Sequence, residues 1–317
     1  MKRLIGLLPT SVDRRVRVLA WTSLVFQILL IGTGGAVRLT DSGLGCPTWP
    51  LCTDASLINT PEMGIHGVIE FGNRALSVIL GFVAIGLLLA VLRMRRSRRD
   101  LFILAVAQMG GVLLQGAIGG LSVRSQLTWY VVGIHFVISA VLVSLVTVLV
   151  YRVYRGRRGA NRSVPKWFLI VAHTASLFVA ITVIIGILTT GSGPHAGDKT
   201  TPRNGLDAEL LQHFHSWPAY VLLGLTIVLV VASLVLRLGV RRWALALLAV
   251  EIAQTVVGLT QARLGLPPVL VGTHMVLAAL LVAAMTTLVL SMRSSSPAPD
   301  AVDDPWELAA DRASLAR

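Results

Sequence analysis

The sequence predicts an all-α integral membrane protein whose eight transmembrane helices form two pseudo-repeated four-helix bundles. Three observations predict this fold. First, the 317 residues are 55% hydrophobic and only 14% charged, with a mean hydropathy of +0.77, whereas soluble domains are about 25% charged. Second, eight apolar stretches approach or reach the roughly 20 residues that span a bilayer. Third, two segments of the chain align with each other without gaps.

The predicted spans follow one another along most of the chain. The first, 18–37, begins after a basic segment and is followed by no obvious cleavage site, so we expect a retained helix rather than a signal peptide. The second contains the apolar run 75–92. The other six lie near 101–123, 127–151, 167–189, 209–236, 243–262 and 269–292.

The net charge of +13 indicates an orientation rather than a nucleic-acid partner. If both termini lie on one side, 22 of the 28 Lys and Arg residues fall on that side and five on the other, with Arg74 inside a span. Lys and Arg are enriched in cytoplasmic segments. The chain is therefore predicted to lie in the cytoplasmic membrane with both termini inside.

Both cysteines lie in one predicted external loop, GLGCPTWPLC, residues 43–52. Zinc sites usually pair cysteines two to four residues apart with further ligands nearby, and no C-x-x-C-H haem attachment motif occurs. We therefore predict a disulfide between Cys46 and Cys52, which an external compartment permits. Its simplest role is to pin the loop.

An internal repeat relates the two halves. Residues 115–140 and 254–279 share nine of 26 positions, including the pairs Gln115/Gln254, Gly119/Gly258 and His135/His274. Each copy covers the third and fourth spans of a half, so each half has four spans. Because four is an even number, both halves begin on the same side of the membrane and have the same orientation. The resulting organisation is a cytoplasmic N-terminus (1–17), two four-helix halves (18–151 and 167–292) joined by a basic linker (152–166), and a tail predicted to be disordered (293–317).

Histidines inside spans are candidate ligands, because ionisable groups are costly in the bilayer. The weaker likeness of IEFGNR (69–74) to LQHFHS (211–216) places His215 opposite Asn73, whereas His213 points away from His215 on a helix. The pairs His66/His135 and His215/His274 predict one haem iron site per half. An interhelical hydrogen bond is the alternative for a single histidine.

Charged residues near these histidines allow two interpretations. His66, Glu70 and Arg74 are spaced four apart and share a helix face. Glu70 and Arg74 form either a neutralising ion pair or a functional pair, in which Glu70 is an acid/base carboxylate and Arg74 or Arg38 binds haem propionates. Glu251, in the seventh span, belongs either to a proton path or to an interhelical hydrogen bond.

Taken together, GAVRLTDSGLGCPTWPLC, IEFGNR, TGSGPHAG and the two GxH helices resemble the haem A synthases over nearly all of 18–292. The resemblance implies an eight-helix bacterial enzyme that oxidises the C8 methyl of haem O to the formyl of haem A. It implies a haem b on His215 and His274, substrate haem at His135, and a catalytic carboxylate at Glu70. It leaves open whether the haem O synthase or a second copy of the chain is a partner.

The resemblance fails at one position. The family usually has E-x-x-H-R in the second span, where this chain has Glu70-Phe-Gly-Asn73-Arg74. Either His66, two turns earlier on the same face, replaces the missing ligand, or the substrate iron is held by His135 alone.

Two other classes of function remain open from the sequence. A non-catalytic b-type cytochrome that exchanges electrons with quinone would use the same histidines. A repeat-built transporter would show helices broken by Gly or Pro at the midplane, whereas here these residues cluster at the external ends.

Overall fold

The computed structural model describes residues 8–296. It contains eight helices that are long and apolar enough to cross a membrane, which confirms the predicted fold class. In chain order they are α1 Arg14–Leu39, α2 Gly64–Val91, α3 Arg99–Arg124, α4 Trp129–Arg155, α5 Lys166–Ser192, α6 Ala208–Val235, α7 Arg241–Arg263 and α8 Pro268–Ser291. Short 3-10 turns, Pro61–Met63 and Leu92–Met94, flank α2.

Local sequence explains where several helices begin and end. Asp13 caps α1, its carboxylate accepting a hydrogen bond from the Val16 N–H at 3.1 Å, and Asp207 caps α6 by accepting from Glu209 and Leu210. Pro267 and Pro268 open α8, where a missing N–H costs no helical bond. Gly156, at φ 72°, ends α4, because glycine adopts the left-handed region without a steric penalty.

Each half forms a closed ring of four helices. In the first half α1 packs on α2, α2 on α3, α3 on α4, and α4 back on α1. In the second half α5 to α8 repeat this order. Sequential antiparallel packing with short connections is the topology of an up-down-up-down bundle.

The two bundles pack together through the first and last helices of each half. Helix α1 contacts α8, α4 contacts both α5 and α8, and the hydroxyls of Ser144 and Thr286 lie 2.9 Å apart across the α4–α8 contact. Gly32 and Gly35 of α1 lie directly against Val276 and Met275 of α8. Small residues let helix backbones approach closely in lipid, where burial alone supplies little driving force.

The apolar cores lie toward one end of both bundles, which we call the basic end because the loops at 93–99, 152–166 and 237–242 are there. The first core includes Val16, Leu87 and Leu149, and the second includes Phe168 and Leu229. The predicted site histidines lie toward the opposite end, which carries the Cys loop (43–52) and which we call the Cys-loop end. Tight apolar packing at one end therefore supports a more polar interior at the other.

A two-stranded antiparallel ribbon lies at the basic end and was not predicted. Strand β1, Arg157–Arg162, follows α4 and pairs with β2, Arg293–Ser296, which follows α8. The Ser163 N–H also donates to the Met292 carbonyl at 2.9 Å. Residues 297–317, most of the tail predicted to be disordered, lie outside the described residues, as do 1–7 of the predicted N-terminal segment.

Two leucines on one helix test the packing of the first core. Leu87 is fully buried whereas Leu89 is 45% exposed on the same helix. We expect Leu87→Ala to destabilise the protein by about 1–3 kcal/mol through the cavity it leaves, at the low end of the usual range because lipid tails are as apolar as leucine. Leu89→Ala should change stability by less than about 0.5 kcal/mol. Thermal unfolding in detergent measures both, and equal losses would contradict this packing.

Candidate functional site

Two imidazoles face each other inside the second bundle. His215 on α6 and His274 on α8 are half-buried, with ring centroids 6.1 Å apart and ring planes inclined at 70°. Two imidazoles that bind one metal ion between them, at metal–nitrogen distances of about 2 Å, have ring centres about 6 Å apart. This is the one histidine ring pair within residues 8–296, and its spacing fits a haem iron.

A backbone carbonyl orients His215. Its Nδ1–H donates to the carbonyl of Thr182, on α5, at 3.0 Å, which leaves the Nε2 lone pair free to bind metal. A carbonyl on the second ring nitrogen is the usual partner of a metal-binding histidine. Gly186, one turn further along α5, makes room for the ring, since a Cβ there would lie 2.8 Å from Cε1 of His215.

His274 has a less complete set of partners. Its Nε2 lies 3.3 Å from the amide nitrogen of Gln254 on α7, and its buried Nδ1 has no hydrogen-bond partner among the described residues. Gly258 lies opposite the ring, with a Cβ position 3.1 Å from Cε1. The Gln254 amide nitrogen can only donate, so Nε2 accepts and the buried Nδ1 carries a proton without an acceptor, which is costly. A haem iron would take the Nε2 lone pair in place of this long contact, and the residues present fit that exchange.

The first bundle contains the repeat-related histidine in a similar setting. His135 on α4 has a buried Nδ1 without a partner among the described residues, and Gly119 of α3 lies opposite its ring, with a Cβ position 3.5 Å from Cε1. The Gln115 amide donates to the His135 carbonyl at 3.1 Å. This environment also fits a haem, which His135 would hold.

The other candidates for the first bundle differ from the second. Asn73 on α2, the counterpart of His215, accepts a hydrogen bond at its side-chain oxygen from the Thr33 hydroxyl at 2.7 Å. His66 is exposed at the start of α2, and its Nδ1 lies 2.9 Å from the Ser42 hydroxyl. His213 is exposed on α6 and points away from the bundle that contains His215.

Glu70 and Arg74 form a buried ion pair that holds the Cys loop. Glu70 is 4% exposed; one carboxylate oxygen contacts the Arg74 guanidinium and the other accepts from the Cys46 N–H at 2.6 Å. Arg74 also donates to the carbonyls of Cys46, Thr48 and Leu51 at 2.9–3.2 Å. The ion pair, one of the two interpretations of this sequence, is therefore present, and it satisfies three loop carbonyls.

The Cys loop itself is closed by the predicted disulfide. Cys46 and Cys52 are fully buried and bonded, with Cα atoms 4.5 Å apart. Trp49 packs its ring on Gly120 of α3, and Arg124 donates to the Trp49 carbonyl at 3.1 Å while its guanidinium lies 5.7 Å from the ring centroid. The loop therefore covers the ends of α2 and α3.

Arg38, in the last turn of α1, contacts the Cys-loop end of the second bundle. Its guanidinium donates to the carbonyl of Thr190, in the last turn of α5, at 2.9 Å, and to that of His195, in the connection that leads from α5 to α6. The Gly43 N–H donates to the Gly197 carbonyl at 2.9 Å. These bonds tie the Cys-loop ends of the two bundles to each other.

Several site residues were not found by sequence reasoning. Thr182 and Thr33 act through single hydrogen bonds from the first helix of each half, which leave no sequence pattern. Gln254 was visible only as a repeat partner of Gln115.

Glu251, 4% exposed, accepts from Thr226 at 2.8 Å and leaves its second oxygen without a partner among the described residues. The interhelical hydrogen bond is thus present for Glu251.

Two repeated bundles with a facing imidazole pair define a multi-pass membrane protein with a site suited to haem. The family profile COX15-CtaA, described as cytochrome oxidase assembly protein, matches residues 17–286, and the chain belongs to this family.

Individual relatives are named heme A synthase. The protein of Halalkalibacterium halodurans is 26% identical over 88% of this chain and 93% of its own length. That of Staphylococcus epidermidis is 27% identical over 63% of this chain and 70% of its own length, and that of Exiguobacterium sibiricum 30% identical over 53% and 56%. The alignments with the Exiguobacterium sibiricum and Symbiobacterium thermophilum relatives span about half of those proteins.

Replacing Arg74 tests the clamp on the Cys loop. Arg74→Ala leaves the buried Glu70 charge unpaired and frees three carbonyls, so we expect a loss of about 3–5 kcal/mol in stability and faster amide hydrogen exchange across 43–52. Arg124→Ala, which removes one carbonyl contact and one ring contact, is the matched control and should have a smaller effect. Equal exchange rates in both variants would contradict the clamp.

Proposed function

We propose that this chain is a haem A synthase, which oxidises the C8 methyl of haem O to the formyl of haem A for terminal oxidase assembly. One observation carries the proposal: the family match and the relatives named heme A synthase coincide with repeat-related, half-buried histidines, one per half, each with a buried Nδ1 that has no partner among the described residues. The Cys loop lies close to the first of these sites, because its Trp49 packs on Gly120, next to the Gly119 that faces His135. The Glu70–Arg74 pair holds this loop.

The two halves bind different haems. His215 and His274 hold a haem b in the second half, and when bound it supplies one-electron transfer. Thr182 keeps the His215 ring in the tautomer that exposes Nε2. In the first half His135 binds the substrate haem O, whose ring enters between the second and fourth helices while its long tail remains in the bilayer.

The chain's own residues handle protons and water. Conversion of a methyl group to a formyl removes four electrons from the carbon, and the haem b of the second half would relay them to an electron acceptor outside the chain. The same conversion releases protons, so the site needs a proton acceptor. Glu70 is that acceptor, at the Cys-loop end of α2, with Arg74 fixing its orientation. Arg38 and Arg74 balance the propionates' charge, and the Cys loop keeps bulk water from the site.

The orientation of the chain in the membrane follows from the distribution of its basic residues. The basic end faces the cytoplasm, because Lys and Arg are enriched in cytoplasmic loops, so the Cys loop faces outward in the cytoplasmic membrane of a bacterium. One expected partner is the haem O synthase, because it supplies the substrate. A second copy of this chain is the other expected partner.

The alternative of a non-catalytic b-type cytochrome is not favoured, since the named relatives are synthases. A transporter is not favoured either, because α1 to α8 run without a midplane break.

Chromatography of extracted haems tests the function. Protein purified from cells that supply haem O should contain haem A, and protein from cells without haem O should contain only haem b. Glu70→Gln retains a hydrogen-bond acceptor for the Cys46 N–H, so it should keep haem bound and stop methyl oxidation. Glu62→Gln, at an exposed carboxylate nearby, should behave as the parent. Haem b alone under both conditions would refute the synthase.

Replacing His274 tests the haem b site separately. His274→Ala removes one of the facing ligands and should lower haem b by about one per chain, with loss of the six-coordinate low-spin absorption. His213→Ala, on the exposed face of α6, is the control and should leave the haem content unchanged. Haem-to-protein ratios from absorption spectra measure the difference; retention of low-spin haem b in His274→Ala would exclude His274 as a ligand.

A further inference from the structure

The two bundles are not equivalent at the position that faces the shared histidine. The repeat places His135 in the position of His274, but it places Asn73 in the position of His215. In the second half the two positions bring their rings to 6.1 Å across the bundle. By the same repeat, Asn73 lies across the first bundle from His135.

Asn73 is held in one orientation. The Thr33 hydroxyl on α1 donates to its side-chain oxygen at 2.7 Å, just as α5, the counterpart of α1, orients His215 through the Thr182 carbonyl. The Asn73 amide nitrogen makes no hydrogen bond to any residue in 8–296. Thr33 therefore occupies the acceptor of the amide and leaves its two N–H donors available.

An amide and an imidazole have opposite uses at such a position. An imidazole nitrogen offers a lone pair to iron, whereas the nitrogen of an asparagine amide only donates hydrogen bonds. An iron bound by His135 would thus meet a donor rather than a second ligand on its other face.

His66 does not fill that face in this structure. It is exposed, and its Nδ1 contacts the Ser42 hydroxyl at 2.9 Å. It also lies seven residues before Asn73, about 10 Å along the helix.

We propose that the first half binds its haem through His135 alone, and that Asn73, oriented by Thr33, presents a hydrogen-bond donor to a small molecule at the open iron face. This rests on the proposed function for the presence of haem at His135. Asn73 would then contact the small ligand, and Thr33 would be a positioning residue. The second half, with both faces bound by histidine, would admit no such ligand.

Carbon monoxide, added to the reduced full-length protein in detergent, probes the open face. The parent should bind one CO for every two haems. Asn73→His should supply the missing ligand, abolish CO binding and convert the high-spin haem to low-spin. His135→Ala should lose the CO-binding haem and keep the low-spin one. His213→Asn, at an exposed position, is the matched control and should bind CO as the parent does.

Milder variants test the amide and the threonine. Asn73→Leu should keep the open face but raise the C–O stretching frequency, because the donor is gone. Thr33→Val should shift the frequency in the same direction and weaken cyanide binding to the oxidised protein by about two- to tenfold. Thr33→Ser should restore the parent values. A merely structural role for Thr33 would leave the frequency unchanged.

The outcomes separate this inference from the proposed function. No CO binding in the parent, or CO binding that persists in Asn73→His, overturns the single-histidine site even if haem A is formed. CO binding as expected in a protein that contains only haem b even when made in cells that supply haem O supports the open face and refutes the synthase.

Discussion

Polar groups inside a membrane must find partners within the protein, and this constraint arranges the whole molecule. Hydrocarbon offers no hydrogen bonds to an unpaired charge or amide. Glu70 and Arg74 therefore form an ion pair and hydrogen-bond to the backbone of the Cys loop, and Glu251 accepts a hydrogen bond from Thr226. His135 and His274 remain incompletely partnered among the described residues, and they are two of the residues that we propose to bind haem.

Duplication supplied two similar bundles, and small differences between them separate their roles. In each half a glycine lies against the fourth-helix histidine, Gly119 in the first half and Gly258 in the second. The absence of a side chain at these glycines leaves room for the imidazole ring in each bundle. The second half adds His215 and closes its site with two imidazoles. The first half instead has Asn73 and the disulfide loop, which together suit a site that exchanges its contents.

Much of this could be read from the sequence, and the remainder has a physical reason. Hydropathy and the gapless repeat predicted eight helices in two bundles. The repeat also selected His274, and the weaker likeness of 69–74 to 211–216 selected His215 as its facing partner. Contacts to backbone carbonyls, such as that of Thr182 with His215 or Arg74 with Leu51, depend on tertiary approach and leave no pattern in residue types. The β1–β2 pairing was missed because both segments are short and polar.

That ribbon has a topological consequence. By pairing the segment before α5 with the segment after α8, it brings the entry and exit points of the second bundle side by side at the basic end. The second half is therefore a closed unit whose ends already meet, which is the arrangement that tolerates circular permutation and insertion of one unit into another chain. Gene duplication of such a unit requires no rearrangement of its interior, and the linker between copies can remain short.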